Sequence, residues 1–491
     1  MPEHLFEAVG IEVGLRRRTV VSVALVAGLV GAAALAWSFL ADLVLAYGDS
    51  RSHLDIARRV VDSRTPSFAQ LGTVWLPVPH ILLQPFILID PLWQTGLAGG
   101  LVGLLCLAIT AVALFGSIRL MTQHRLAPWI GVAVLLTNPN LLYIHTTALT
   151  EPVLLMTMTA SAYFLLRWTR DGRVSSLVAA GALSALAVGS RYDGWFYAVV
   201  SAAVVLMVVL WRTRSPQMAE GLTLAYCVLP VFAMFLWFYY NWLIWGDALE
   251  FQRGQYSAQF QQASFAALGK LKTKGDLPVS ILTYGLTALH TNGALLLGLA
   301  GAGLASYLVS LRRLGGSIAP LVFLAALPFN ILSLYAGQSI ILLPETDPAG
   351  YFNIRYGLML VPAVAVFAAY GFDRLARVAP ARLVASGVAA LLLAQVAVYV
   401  PQWPLSVITI TEGLYGPSAR PPRSTAAQYL RAHYAGGGIL LDDSDYTTDG
   451  GSLVLFETGL PLREYIATYS DQLWARSLSD PASQVEWIFM H

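Results

Sequence analysis

Apolar runs long enough to cross a bilayer recur along most of this chain. A hydrocarbon core of about 30 Å takes about 20 apolar residues per helix. Against that length the sequence offers eleven candidate spans, at 19–42, 93–118, 127–144, 151–167, 174–190, 195–211, 221–244, 288–310, 316–337, 355–372 and 381–402. Only 12% of the 491 residues are charged and 57% are hydrophobic, whereas about 25% are charged in a typical soluble domain. The pattern predicts an all-α polytopic membrane protein of about 11 transmembrane helices. The first run is longer than the roughly 7–15 residues of a signal-peptide core, so it is expected to remain in the mature protein.

Arginine sets the orientation, because short cytoplasmic loops carry the excess of positive charge. Arg16, Arg17 and Arg18 precede the first run, and Arg119, Arg125, Arg167, Arg170, Arg173, Arg212, Arg214, Arg312, Arg313, Arg374, Arg377 and Arg382 fall on the same side on alternate counting. The N-terminus is therefore expected in the cytoplasm and the tail outside the plasma membrane. Residues 1–402 form the expected membrane domain and 403–491 a small exoplasmic α/β appendage. Within the tail, Pro401, Pro404, Pro417, Pro421 and Pro422 read as a linker, Ser424–Tyr434 as a helix and Gly438–Asp443 as a short buried strand. Asp442, Asp443 and Asp445 are turn and cap residues or, less economically, a metal cluster. The net charge of +2 is dispersed, which excludes a nucleic-acid surface. Cys106 and Cys227 lie in apolar runs and read as buried hydrophobes.

Ionisable groups at a bilayer edge are costly, so their convergence on one side marks a candidate site. Four places meet that condition, all on the expected outer side. The first is Tyr47-Gly48-Asp49-Ser50-Arg51-Ser52-His53-Leu54-Asp55, where Asp49 and His53 share a helix face and Leu54, Ala57, Val60 and Val61 make an apolar stripe. This predicts a juxtamembrane helix along the surface, with Asp49 either its N-terminal cap or a catalytic carboxylate, and Asp55 either functional or paired with Arg58 or Arg59. The second is Trp75-Leu76-Pro77-Val78-Pro79-His80, a rigid loop or a site for His80, leading into a re-entrant or interfacial stretch. The third runs from Asn138-Pro139-Asn140 through Tyr143, His145 and Thr146 to Leu149-Thr150-Glu151-Pro152. There Thr150 suits an N-cap, and Glu151 suits a helix dipole or a cationic partner. The fourth comprises Arg191, in Ser190-Arg191-Tyr192-Asp193-Gly194-Trp195, and Arg355, before Tyr356. Arginine outside has no topological reason, and its fork fits phosphate; the competing pairings are Arg191 with Asp193 or Glu151, and Arg355 with Glu345 or Asp347. Lys270, Lys272, Lys274 and Arg253 lie in the expected outer loop 245–287 and add to that field or form a solvated face.

The order of these features resembles the membrane-embedded glycosyltransferases of the C type (GT-C), which include protein O-mannosyltransferases and aminoarabinose transferases. The residues that carry it are Gly48-Asp49 with Leu54-Asp55-Ile56-Ala57-Arg58, Leu149-Thr150-Glu151-Pro152, Ser190 to Trp195, Asn241-Trp242 with Trp245-Gly246-Asp247, and Arg355-Tyr356 before Pro362. The resemblance covers roughly residues 19–400. It implies a GT-C fold and inverting transfer of one sugar from a polyprenyl-phosphate carrier to a cell-envelope glycan or glycolipid. Asp49 stands where relatives place the general base. Ser50 stands where many place a second acid, a position for which Asp55 or Glu151 is the expected substitute. Arg355 and Arg191, with His80 and Tyr356, are the expected contacts of the donor phosphate, and His53, Tyr192, Asp193 and His145 the candidate substrate contacts. Neither a metal nor another cofactor is expected. A secondary transporter or flippase, or a non-catalytic envelope-assembly protein, is the alternative.

Overall fold

The computed structural model describes residues 14–254, 257–314, 317–417, 419, 423–444, 450–470 and 472–490. Helix α1 (Arg17–Leu40) leads into α2 (Gly48–Arg59), the expected juxtamembrane helix. Leu54 and Ala57 are buried as the apolar stripe requires, while Val61, past the helix end, is exposed. The helix is nevertheless not a solvated surface element: Ser50, Arg51, His53 and Arg58 are buried as well. Helix α3 (Pro77–Ile87) covers it on one side, and α4 (Asp90–Gln94) follows. The longer helices α5 (Leu97–Met121), α8 (Glu151–Asp171), α9 (Val174–Val188), α10 (Tyr192–Thr213) and α11 (Pro216–Trp245) then pack side by side.

One expected span and one expected loop are built differently from what the sequence predicts. The run 127–144 is divided into α6 (Ala127–Leu136) and α7 (Pro139–Ile144). Asn138 accepts the Leu141 N–H at 3.1 Å and Pro139 lacks an N–H, so a new helix starts there. The expected loop 245–287 is largely helical, containing α12 (Glu250–Arg253), α13 (Ala258–Ala267) and most of α14 (Leu277–Asn292). Asp276 caps α14 by accepting the Val279 N–H at 3.0 Å. Gly293, at φ +82°, breaks the chain between α14 and α15 (Ala294–Leu314); a Cβ there would also lie 2.1 Å from the Gln395 side chain. The membrane part ends with α16 (Ala326–Tyr335), α17 (Val361–Leu375) and α18 (Ala381–Ala397).

Among the described residues, six helices are long and apolar enough to cross a bilayer: Arg17–Leu40, Leu97–Met121, Tyr192–Thr213, Pro216–Trp245, Ala294–Leu311 and Ile354–Leu375. Shorter apolar helices at Ala127–Leu136, Val174–Val188, Ala319–Tyr335 and Ala381–Ala397, together with α8, occupy the other expected spans. The chain is a multi-pass membrane protein.

The tail has two parts. Helix α19 (Ile408–Tyr415) places Val407 and Ile410 in the main core among the membrane helices, so the expected boundary at 402 falls before a segment that packs with the bundle. Helix α20 (Thr425–His433), capped by Ser424, then opens a small α/β unit with β1 (Ile439–Leu441), α21 (Gly451–Thr458), β2 (Tyr465–Ile466), α22 (Gln472–Ser479) and β3 (Trp487–Phe489). The strands are parallel in the order β2-β1-β3, with Ile439 opposite both Tyr465 and Trp487. Central β1 is buried throughout. This unit shares a core with Leu54, Ala57, Leu83 and Trp93, and Arg463 reaches Asp62 at 3.0 Å. Asp442 accepts from the Ser444 N–H two residues on, as a turn residue does, and Asp443 accepts from the Thr468 N–H; Asp445 lies outside the described residues.

Close backbone approach sets the packing of α5. A Cβ on Gly103 would lie 2.0 Å from the His145 carbonyl oxygen, whereas one on Gly28 of α1 meets nothing within 4 Å. Gly103→Ala is expected to destabilise the protein by about 1–3 kcal/mol through overpacking, and Gly28→Ala to be neutral within about 0.5 kcal/mol. Thermal melting of the two variants in detergent checks this contrast.

Candidate active site

Arg355 sits where the chain turns into the short 3-10 segment Ile354–Leu360. The turn is made by Asn353, which adopts φ +56° and donates its amide to the Ile340 carbonyl at 2.9 Å. A two-residue bridge between Leu342 and Phe352 holds the preceding loop. The result fixes a guanidinium group, only 5% exposed, at the point where α2, α8 and α19 converge.

Each nitrogen of that group meets a different carboxylate. Nη2 donates to Asp49 Oδ2 at 2.7 Å, Nε to Glu151 Oε1 at 3.1 Å and Nη1 to Glu412 Oε1 at 2.6 Å. The Arg355 backbone N–H adds a bond to Glu412 Oε2 at 3.0 Å. The Tyr47 ring lies 5.0 Å from the Arg355 guanidinium carbon and the Tyr356 ring 5.6 Å, both within cation–π range. Neither Glu345 nor Asp347 is the partner of Arg355; Glu345 instead accepts from His290 at 3.0 Å.

A second cation adjoins the first. Arg191 precedes α10 and donates from Nη1 to Glu151 Oε1 and Thr150 Oγ1, both at 3.0 Å, and from Nε to Asp193 Oδ2 at 3.2 Å. Its guanidinium carbon stands 4.7 Å from the Tyr356 ring. Both pairings weighed for Arg191 are thus present together. Thr150 does not cap α8 with its side chain, because its hydroxyl serves Arg191. Glu151 goes beyond a dipole role, since one oxygen bridges both arginines while Oε2, buried, has no protein partner.

Asp49 is not the cap of α2 either. Tyr47 occupies the N-cap position in extended conformation, with its hydroxyl donating to the Thr409 carbonyl at 2.7 Å. Asp49 therefore lies in the first turn, where the helix dipole favours an anion, and directs its carboxylate to Arg355. Its side chain is 26% exposed, against 1% for Glu151 and 0% for Glu412. Asp49 is thus the most accessible of the three carboxylates on Arg355.

The remaining expected residues divide into neighbours and outsiders. His53 Nδ1 pairs with His80 Nε2 at 3.0 Å, and the His53 ring packs 4.2 Å from that of Trp75. Burial pushes His53 down to about 4, against the pull of Asp49 and Glu151, and pushes His80 well below its ordinary value. Tyr192 donates to the Val74 carbonyl at 2.9 Å and stacks on Phe251, which fastens the first loop to α10. His145 bonds the Leu141 carbonyl at the end of α7 and makes no contact with the arginines.

Asp55 is not brought to Arg355. Six positions along α2 turn it about 120° away from Asp49. There it accepts the Trp93 indole N–H at 3.1 Å, and burial pushes its carboxyl up to about 7. Its expected partners are engaged elsewhere: Arg58 bonds Asp62 at 2.9 Å and Asp90 at 2.7 Å, and Arg59 donates to the Gln70 carbonyl at 2.7 Å. The residue that sequence reasoning missed is Glu412. Its signal was available, an acid inside Val407-Ile408-Thr409-Ile410-Thr411-Glu412-Gly413-Leu414, but the tail was read as a separate unit. Among the described residues no group of three His, Cys, Asp or Glu side chains is arranged to hold a metal ion.

The buried histidine pair has a pH signature. An imidazole held near 4 binds fewer protons folded than unfolded between about pH 4 and 6.5, so stability falls as pH drops through that window. The melting temperature should decline from pH 7 to pH 4, and the decline should be shallower in a His53→Gln variant, as measured by melting across a pH series.

No curated protein matches the chain. Residues 87–239 match the family model of dolichyl-phosphate-mannose-protein mannosyltransferases, a family of the GT-C type, and the matched stretch runs from the end of α3 through Glu151 and Arg191 into α11.

Proposed function

We propose that the protein transfers a single sugar from a polyprenyl-phosphate carrier to a hydroxyl of a cell-envelope glycan or glycolipid, with inversion, on the outer face of the plasma membrane. In this reading all eleven candidate spans cross the bilayer. The observation that carries the proposal is the shared Arg355 bond of Asp49, which puts the expected base beside the expected phosphate ligand.

The chemistry follows from that adjacency. The donor phosphate takes the Nη2 edge of Arg355, because the carboxylate there is the most exposed of the three and the easiest to displace. Asp49, released from its ion pair, accepts the proton of the acceptor hydroxyl as that oxygen attacks the anomeric carbon from the face opposite the phosphate. The bond between the anomeric carbon and the phosphate oxygen breaks, and its electron pair leaves with the polyprenyl phosphate. Arg355 and Arg191 stabilise the charge that grows on the leaving group. The rings of Tyr47 and Tyr356 lie within cation–π range of Arg355 and favour its charged guanidinium at this place. In this arrangement the base becomes available only once the donor is bound.

Two variants test the assignment with purified protein and a panel of polyprenyl-phosphate hexoses and pentoses. Asp49→Asn should lower transfer by about 10²–10⁴-fold, the range for loss of a general base, while polyprenyl-phosphate binding is retained. Arg355→Lys keeps the charge but not the fork, and should weaken both donor binding and rate. Full activity of the Asn variant, or no release of polyprenyl phosphate by wild type from any donor, would overturn the reading.

A further inference from the structure

Glu412 belongs to none of the elements that carry the GT-C resemblance. It comes from α19, after the expected membrane domain and outside the matched stretch 87–239. Its side chain is fully buried, and both its oxygens are used on a single residue, Oε1 on the Arg355 guanidinium and Oε2 on the Arg355 backbone N–H. One carboxylate therefore grips both ends of the arginine. With Glu151 on Nε, the plane of the guanidinium is fixed and the Nη2 edge is left facing Asp49.

The helix that presents Glu412 is itself tied down. Asn140 Oδ1 accepts the Thr409 N–H and the Thr409 hydroxyl, both at 3.1 Å. The Thr409 carbonyl in turn accepts the Tyr47 hydroxyl at the start of α2. Asp49 and Arg355 are thus both referenced to the same short helix, one through Tyr47 and the other through Glu412. A buried charge is weak evidence for stability by itself, because an apolar side chain of similar volume packs as well or better. What a carboxylate supplies here, and an apolar group cannot, is direction.

We propose that Glu412 is a positioning residue, which aims the Arg355 guanidinium so that its Nη2 edge alone is exchangeable between Asp49 and the carrier phosphate. The inference rests on the reading of Arg355 as the phosphate ligand. Glu412 touches no substrate in this scheme and acts only through Arg355.

A double-mutant cycle on the full-length protein tests it, with polyprenyl monophosphate in detergent as the probe and melting as the check on folding. Glu412→Gln retains one acceptor and turns a donor toward a donor, so the grip fails at one end. The expected result is affinity about tenfold weaker with unchanged binding stoichiometry, the size of one lost charge-assisted bond. Glu412→Asp, which keeps both acceptors, should recover affinity to within about threefold of wild type. In an Arg355→Lys background Glu412→Gln should cost less than about threefold more, because the residue it acts through is already altered. Folded Glu412→Gln protein with wild-type affinity overturns the inference, as does an equal loss in both backgrounds or a Glu412→Asp variant no better than Glu412→Gln. If Glu412→Gln does not fold, Glu412→Asp is measured in both backgrounds instead: a loss of up to about threefold that disappears in Arg355→Lys supports the inference, and undiminished affinity or an equal loss in both overturns it. Wild type that binds no polyprenyl monophosphate, or Arg355→Lys with undiminished affinity, removes the phosphate reading itself and this inference with it.

Discussion

A guanidinium group buried beside the apolar core of a membrane protein must be paired, and the rest of the structure answers to that requirement. Arg355 is matched by Asp49, Glu151 and Glu412, which come from α2, α8 and α19. Taking any one of these charges out of water is costly, and only tight geometry with satisfied hydrogen bonds offsets the cost. The network therefore fixes how the juxtamembrane helix, the bundle and the tail meet. Loss of one partner leaves its neighbours charged and buried, which is far more destabilising than replacement of the whole set.

Within that network the three carboxylates are chemically equivalent but physically distinct. Glu151 and Glu412 are sealed from solvent, whereas Asp49 keeps about a quarter of its side-chain surface. Glu151 also has Arg191 as a second cation, so its charge is shared between two guanidinium groups. Accessibility and the division of pairs set Asp49 apart from the other two carboxylates, and the base role proposed for it rests on that difference. The C-terminal unit rests on the same juxtamembrane region through the shared core of Leu54, Trp93 and Phe456. Arg58 of α2 is buried on its α3 and α4 side, where it bonds the Ile87 carbonyl and Asp90 and lies 4.9 Å from the Trp93 ring.

Local features were legible wherever the deciding interaction is local. The periodicity of Leu54 and Ala57 anticipated α2, the apolar stretch after Gly438 anticipated β1, and Ser424 marked the start of α20. The reading failed where a single residue redirects the chain. Asn138 and Pro139 divide what hydropathy shows as one span, and Gly293 separates α14 from α15 because its backbone turns to positive φ. Hydropathy averages over about 20 residues and does not register such breaks. Asp55 failed for a geometric reason, since a second acid near Asp49 in sequence lies on another face of the helix.

The sequence alone determined the membrane class, most of the apolar helices, the polar clusters between them and the identity of Asp49, Glu151, Arg191 and Arg355 as groups needing partners. Burial of charge makes that need visible in one dimension, because an ionisable residue at an apolar edge has few ways to be satisfied. Which partner satisfies which arginine was decided only in three dimensions. Asp49, Glu151 and Glu412 are far apart along the chain, and ion pairing depends on separation in space and on the local dielectric, neither of which the order of residues records. The tertiary structure alone brings the tail helix back to the bundle, and with it the carboxylate that holds Arg355.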